Sequence, residues 1–175
     1  MIRCNLCSAP HKQFVFLWHK DGLDVVRCIQ CGLIFRKELP TENDLKSIYS
    51  DAYFISEQVA TQGQGYLNYL KDEDFFRSNA QRRMKAIEKY SKPGHMLDIG
   101  CAAGFFIDEA QKRGWDVTGI EFSNTMAAFG IEELGLHIKQ GTFHGTRLPP
   151  DHYELVTMFD YIEHSINPLS DLQKA

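Results

Sequence analysis

Residues 95 to 121 carry an arrangement that few folds can accommodate. HMLDI (95–99) reads as a short apolar strand. GCAAG (100–104) is a glycine-containing turn, and FFIDEAQKR (105–113) follows it directly as a helix stopped by Gly114. WDVTGIE (115–121) is a second strand that closes on a carboxylate. A strand that feeds a helix through a tight turn, and returns as a strand, is the parallel crossover unit. The pattern then repeats. Ser123 caps a helix that runs to Gly135, HIKQG (137–141) is a weaker third strand, and ELVTMFD (154–160) is a fourth. The expected fold class is therefore α/β, with a doubly wound, mainly parallel sheet of about four strands.

Ligands of such sheets sit beyond the carboxyl ends of the strands, where the strand order reverses. A dinucleotide fold requires G-x-G-x-x-G, with a helix N-terminus aimed at a pyrophosphate. The run here is D-I-G-C-A-A-G, which lacks the second glycine at the required spacing. Asp98 stands at the mouth of the turn, where its charge would repel a pyrophosphate. It suits instead a nucleoside that carries an ammonium and a sulfonium, a description met by S-adenosylmethionine. Glu121 ends the second strand with two acceptor oxygens suited to the two hydroxyls of a ribose.

Four of the five cysteines form a separate pattern, Cys4 and Cys7 followed by Cys28 and Cys31, or C-x2-C-x20-C-x2-C. Each pair brings two thiolates to one ion, and the spacing is that of a zinc site. FVFLW (14–18), LDVVRC (23–28) and LIFR (33–36) read as strands, with turn chemistry at Lys20, Asp21 and Gly22. The reading is a small zinc ribbon. Four thiolates close a tetrahedron, so such a site is structural and keeps no open position for catalysis. Two disulfides, which belong to secreted chains, and a redox C-x-x-C are the other readings of these cysteines, but two pairs at this spacing fit a metal better.

Three segments follow: a zinc ribbon over 1–40, a helical and loop linker with a possible lid over 41–92, and the nucleoside-binding domain over 93–175. Within the linker, Thr41 and Asp44 resemble a capping box before a short helix that turns Leu45, Ile48 and Tyr49 inward. Tyr53, Phe54, Tyr66 and Tyr69 either pack on the main domain or close over the ligand. A helix is expected from about Asp74 to Tyr90, with Phe75, Phe76, Met84, Ile87 and Tyr90 as its apolar set. Lys and Arg number 19 against 23 Asp and Glu, a net charge of −4, which gives no support for nucleic acid as a partner of the whole chain. No apolar run approaches a membrane span, and the first residues lack a signal-peptide core, so a cytoplasmic location is expected.

LDIGCAAGFF, VTGIEFS and VTMFDYIEH, in that order, resemble the Rossmann-like S-adenosylmethionine-dependent methyltransferases. The subgroup they most resemble joins an N-terminal zinc-binding ribbon to that domain and carries Asp-x-x-Glu-His after its fourth strand. The resemblance implies that Gly100, Cys101, Ala102 and Gly104 form the turn against the methionine part and ribose, with Asp98 near the amino group. It implies Glu121 on the ribose diol, Phe122 beside the adenine, and Phe159 and Asp160 bordering the site of methyl departure. Many members have glycine where Ala102 stands, which is tolerated if its φ is negative. The adenine position often taken by an acidic residue falls here on Thr142 or Phe143.

Methyl transfer from a sulfonium is an in-line displacement that depends on alignment and exclusion of water. A hydroxyl or carbon acceptor must also lose a proton. His164 is the expected general base, with Glu163 beside it to orient it or to bind a divalent ion. Asn167 and Pro168 read as the cap and first residue of another helix. The segment after the fourth strand is not of the N/D-P-P-Y type, which argues against nucleobase amino groups as acceptors. The expected activity is O- or C-methylation of a small molecule. The alternatives are an RNA methyltransferase whose mildly basic ribbon contacts RNA, and a non-catalytic cofactor-binding module. The family's sheet has seven strands, so the expectation is a C-terminally truncated chain holding the cofactor half-site, whose exposed fourth strand invites a homodimer.

Overall fold

The structure is a computed structural model that describes residues 2–20, 22–38, 41, 51–54 and 68–175. The expected helix carrying Leu45, Ile48 and Tyr49, and the aromatic Tyr66, lie outside the described residues. The chain divides into two compact units, Met1–Leu45 with Ile162–Ala175, and Lys46–Tyr161.

The first unit holds a three-stranded antiparallel sheet: β1 (Phe14–Lys20), β2 (Leu23–Cys28) and β3 (Ile34–Arg36), in that spatial order. Gly22, with φ of +78°, belongs to the turn that sets Lys20 opposite Leu23. β1 carries an irregularity between Phe16 and Trp18, where two residues of β1 advance against one of β2. Cys4, Ala9 and Cys28 are buried, with Phe14, Leu33 and Phe35 packed against them. This core is too small to hold a sheet by apolar burial alone. The same unit contains a 3-10 turn, Ile162–His164, and a final helix over Pro168–Lys174. Asn167 caps that helix by accepting from the Ser170 amide at 3.2 Å, with Pro168 in the first turn, as its sequence predicts.

The second unit contains α1 (Asp51–Phe54), a 3-10 turn over Tyr69–Asp72, α2 (Glu73–Ile87), β4 (His95–Ile99), α3 (Phe105–Gln111), β5 (Asp116–Glu121), α4 (Asn124–Glu132), β6 (Ile138–Gln140) and β7 (Leu155–Thr157). The final helix of the first unit is α5. The four strands are all parallel, in the order β6-β5-β4-β7. This is the α/β fold class the sequence predicts, a Rossmann-like sheet following a small cysteine-bearing module in the chain. β4 is central, and Met96, Leu97, Asp98 and Ile99 are all buried. Such continuous burial is the mark of a parallel strand covered on both faces. The order reverses between β4 and β7, so a ligand crevice is expected beyond the carboxyl ends of β4 and its neighbours.

Packing follows from pattern on each face. Met96, Ile107, Ala110, Trp115, Val117 and Ile138 share one cluster, and Leu97, Ile99, Ile120 and Phe143 another. An aromatic cluster joins Phe54, Tyr69, Phe76, Phe105 and Phe129. Phe54 and Tyr69 therefore have the packing role that was one of their two readings. Arg77 ties α2 to α3: its guanidinium donates to Glu109 at 3.0 Å and to Asp108, while Glu73 holds its Nε at 2.5 Å.

Three expectations change. α2 ends at Ile87, and neither Phe75 (64% exposed) nor Tyr90 (90% exposed) is apolar core. Phe75 is rotated about 100° from Phe76 around the helix, and Tyr90 lies beyond its end. β7 covers only Leu155–Thr157, shorter than the predicted 154–160. The chain leaves extended geometry by Asp160, whose φ is +53°. The strand over 137–141 likewise shortens to Ile138–Gln140. Among the described residues no helix is long and apolar enough to cross a membrane.

Candidate functional site

The turn between β4 and α3 is built almost wholly from its own amides. Gly100 N and Cys101 N both donate to the Ile120 carbonyl, at 2.8 and 3.1 Å, which ties the end of β4 to the end of β5. Gly104 N donates to Cys101 O at 2.9 Å. Ala102 N donates to Glu121 Oε2 at 2.8 Å. Gly100 and Gly104 have φ of +79° and +87°, where a side chain is strained. A Cβ at Gly100 would lie 2.9 Å from the Tyr161 ring, and one at Gly104 would lie 2.4 Å from Leu136. Ala102 overturns its expectation, because its φ is +48° and not negative. A left-handed alanine costs about 1–2 kcal/mol, and the bond from its amide to Glu121 holds it there.

Glu121 is buried and spans two turns. Its Oε2 takes the Ala102 amide and its Oε1 takes the Ser123 amide at 2.6 Å. Burial raises its pKa, and these backbone bonds oppose the rise. The Phe122 backbone donates to it as well; a carboxylate has about four lone-pair sites, so acceptor capacity for a hydroxyl remains. Ser123 then caps α4 through its hydroxyl, which accepts from Met126 N at 3.3 Å. Asp98 is 3% exposed and accepts from the Thr157 hydroxyl of β7 at 2.6 Å. Burial pushes its carboxyl up to about 7, with the Glu121 charge adding to the rise and the Thr157 bond and Arg83 charge opposing it.

This donor set discriminates between ligand classes. A pyrophosphate needs free amides and tolerates no anion nearby. Four amides of this turn are engaged within the protein, and two buried carboxyl groups stand beside it. The residues fit a nucleoside with hydroxyls and a cation.

Phe122 is half-buried, and its carbonyl accepts from Gln140 Nε2 at 2.9 Å. Thr142 is exposed and accepts the Gly145 amide on its hydroxyl at 3.0 Å. Phe143 packs inside the core with Leu97, Ile99 and Ile120, and Cys101 is buried, its thiol raised well above the ordinary range by burial. Phe159 stands edge-on to Phe106 at 5.0 Å between centroids. Asp160 accepts from Arg83 Nη2 at 3.0 Å. Arg83 carries no local sequence signal. Its guanidinium lies 4.2 Å from the Phe159 centroid, and its charge reaches Asp98. Nothing local distinguishes it from neighbouring Arg82; only the helix face selects it. His164 is exposed and belongs to the first unit, whereas the crevice residues belong to the second.

The cysteines form a second centre. The four Sγ atoms lie within 4.8 Å of one another, with Cys4 to Cys31 at 3.5 Å and Cys7 to Cys28 at 3.6 Å, and none is in a disulfide. A tetrahedral Zn–S bond of about 2.3 Å places sulfurs about 3.8 Å apart, so the set fits zinc. Two matching knuckles present them. Cys4 N donates to Ala9 O and Ser8 N to Cys4 O, while Cys28 N donates to Leu33 O and Gly32 N to Cys28 O. Ser8 and Gly32 take the same left-handed position, at φ of +60° and +80°. The glycine of the second knuckle is legible in sequence; the serine of the first is not.

A family model described as a methyltransferase domain matches residues 71–175. No curated protein matches the chain. Among solved structures, Streptomyces venezuelae DesVI is 21% identical, with a TM-score of 0.43, covering 51% of this chain and 37% of that one. A protein of Methanococcus maripaludis, assigned as an S-adenosyl-L-methionine-dependent methyltransferase, is 14% identical, with a TM-score of 0.47 and coverage of 67% and 52%. The plantazolicin methyltransferase BpumL in complex with SAH is 20% identical, with a TM-score of 0.43 and coverage of 77% and 48%. The chain spans about half or less of the length of these structures.

Proposed function

The chain belongs to the methyltransferase-domain family, and from that we propose that its crevice takes S-adenosylmethionine and serves methyl transfer to a hydroxyl or carbon atom of a small molecule. One observation carries the reading: two buried carboxyl groups, Asp98 and Glu121, border a turn in which the Gly100, Cys101, Ala102 and Gly104 amides are bonded within the protein. When bound, S-adenosylmethionine supplies an electrophilic methyl group on a sulfonium. Glu121 accepts from the ribose diol on the acceptor capacity that its backbone bonds leave. Asp98 balances the ammonium, an interaction that favours its ionised form. Arg83, already close enough to act on Asp98, is the cation for the methionine carboxylate. Gly100 and Gly104 supply the left-handed angles of the turn that lies against the methionine part and ribose, while Tyr161 and Leu136 pack where their side chains would stand. Phe122 flanks the adenine, with Thr142 and Phe143 near it, and Phe159 with Asp160 borders the acceptor side.

His164 is proposed as the base that takes the acceptor's proton. Cys4, Cys7, Cys28 and Cys31 would hold one zinc ion whose binding energy folds the ribbon. The domain division proposed is a ribbon over 1–40, a linker over 41–92 and the cofactor domain over 93–175. The test is transfer of a labelled methyl group to a panel of small hydroxylic and acidic-carbon acceptors. His164→Ala is expected to lower turnover by about two to four orders of magnitude, with cofactor affinity unchanged. Unchanged turnover in that variant would remove His164 from the mechanism.

A further inference from the structure

The ribbon sheet has two chemically different faces, and only one is explained by the cysteines. Residues directly opposite across strands share a face. Phe14 pairs with Cys28, Phe16 with Val26, Val26 with Phe35, and His19 with Asp24. That face carries the cysteine core and the ribbon's buried Val26. The other face is built of three rows: Val15, Arg27 and Ile34; Trp18, Val25 and Arg36; Lys20 and Leu23.

Trp18 reaches this second face only through the irregularity in β1. Without it, Trp18 would share the face of Phe16, two residues earlier. Bulges of this kind re-aim a side chain. Val15, Trp18 and Ile34 remain 47%, 49% and 51% exposed. Lys20 and Arg27 are also exposed, and Arg36 is half-buried, its Nε donating to the Glu38 carbonyl. Among the described residues of the three strands no carboxylate stands on this face, and Glu38, exposed beyond β3, is paired with Lys37 at 3.4 Å. Asp24 lies on the opposite one, held by His19 at 2.8 Å and Lys37 at 3.1 Å.

We propose that this outer face docks an acidic protein surface, with Trp18 and its aliphatic neighbours entering an apolar patch and Lys20, Arg27 and Arg36 meeting the carboxylates around it. Tryptophan and arginine are the side chains that dominate such interfaces. A second copy of the chain is disfavoured, because a two-fold pairing of this face sets cations against cations. Single-stranded nucleic acid stacks successive bases on successive aromatic rings. This face offers one aromatic ring and four aliphatic side chains. The proposal rests on the ribbon alone and is independent of the methyl-transfer reading.

The test uses the full zinc-loaded chain and a fluorescein-labelled amphipathic peptide of about 18 residues, long enough for helical structure, with leucines on one face and glutamates on the other. The same peptide with lysines replacing glutamates, and a single-stranded RNA 12-mer, are the comparison probes. Anisotropy is expected to show the glutamate peptide binding at least about tenfold tighter than either. Trp18→Ala is expected to weaken it by about tenfold or more. Arg27→Glu with Arg36→Glu should invert the preference between peptides, while Phe16→Ala, on the other face, leaves it unchanged. Zinc content confirms that each variant keeps its ribbon. Absence of binding, equal binding of both peptides, indifference to Trp18→Ala, or tighter binding of the RNA overturns the proposal. So does a Trp18-dependent dimer in light scattering.

Discussion

Asp98 makes the chain's stability depend on pH in a way one substitution removes. Its ordinary pKa is 3.8 and burial lifts it to about 7 in the folded chain. Between those values the folded state keeps a proton that the unfolded state has released. The favourable contribution is therefore complete below 3.8 and lost as pH rises through about 7. At about 1.4 kcal/mol per pH unit, the loss amounts to about 4 kcal/mol. Asn in place of Asp98 cannot ionise, so Asp98→Asn lacks this slope. Its carbonyl still accepts the Thr157 hydroxyl, but its buried amide group lacks an assured acceptor, at a cost of about 1–3 kcal/mol. The two effects predict a crossing: the variant is less stable than the parent near pH 4.5 and more stable by about 1–3 kcal/mol near pH 8. Urea denaturation across that range measures it, and taking the difference between the two proteins cancels the titrating groups that do not feel the Asp98 charge; Glu121 and Cys101 do feel it. Parallel profiles would refute the buried-carboxyl argument. The ammonium reading adds that Asp98→Asn weakens S-adenosylmethionine binding even where it stabilises the fold.

Cys28→Ser is expected to abolish tight zinc binding, which should stand at one ion per chain in the parent, and to release amide protection across β1 to β3; metal analysis with hydrogen exchange checks both. Gly104→Ala combines a left-handed φ with a Cβ 2.4 Å from Leu136, whereas Gly135→Ala meets nothing within 4 Å at φ of +67°. Denaturant unfolding should therefore show a loss of about 2–4 kcal/mol for the first and about 1–2 kcal/mol for the second.

The features legible in the sequence are those set by local pattern. Cysteine spacing identified the four-sulfur cluster, and the alternation of apolar strands with helices identified the parallel sheet and its turn. Ser123 and Asn167 were readable as caps because capping is a contact within one turn. The features missed depend on direction and on distant neighbours. Phe75 and Phe76 look equivalent in a list of apolar residues, but only one faces the core. Arg83 gains its meaning from Phe159 and Asp160, more than seventy positions away. Ala102 takes a positive φ because Glu121, on another strand, holds its amide. Trp18 changes face through a one-residue irregularity that leaves no mark on the alternation of residues.

The central claim is that the crevice beside Asp98 and Glu121 selects a cationic nucleoside without phosphates. Calorimetry of the full chain with S-adenosylmethionine and with NADH tests it directly, alongside Glu121→Ala. One-to-one binding of S-adenosylmethionine, weakened about a hundredfold or more by the loss of Glu121 contacts, with no heat from NADH, is the predicted result. Binding of NADH by a chain that leaves S-adenosylmethionine free would contradict it.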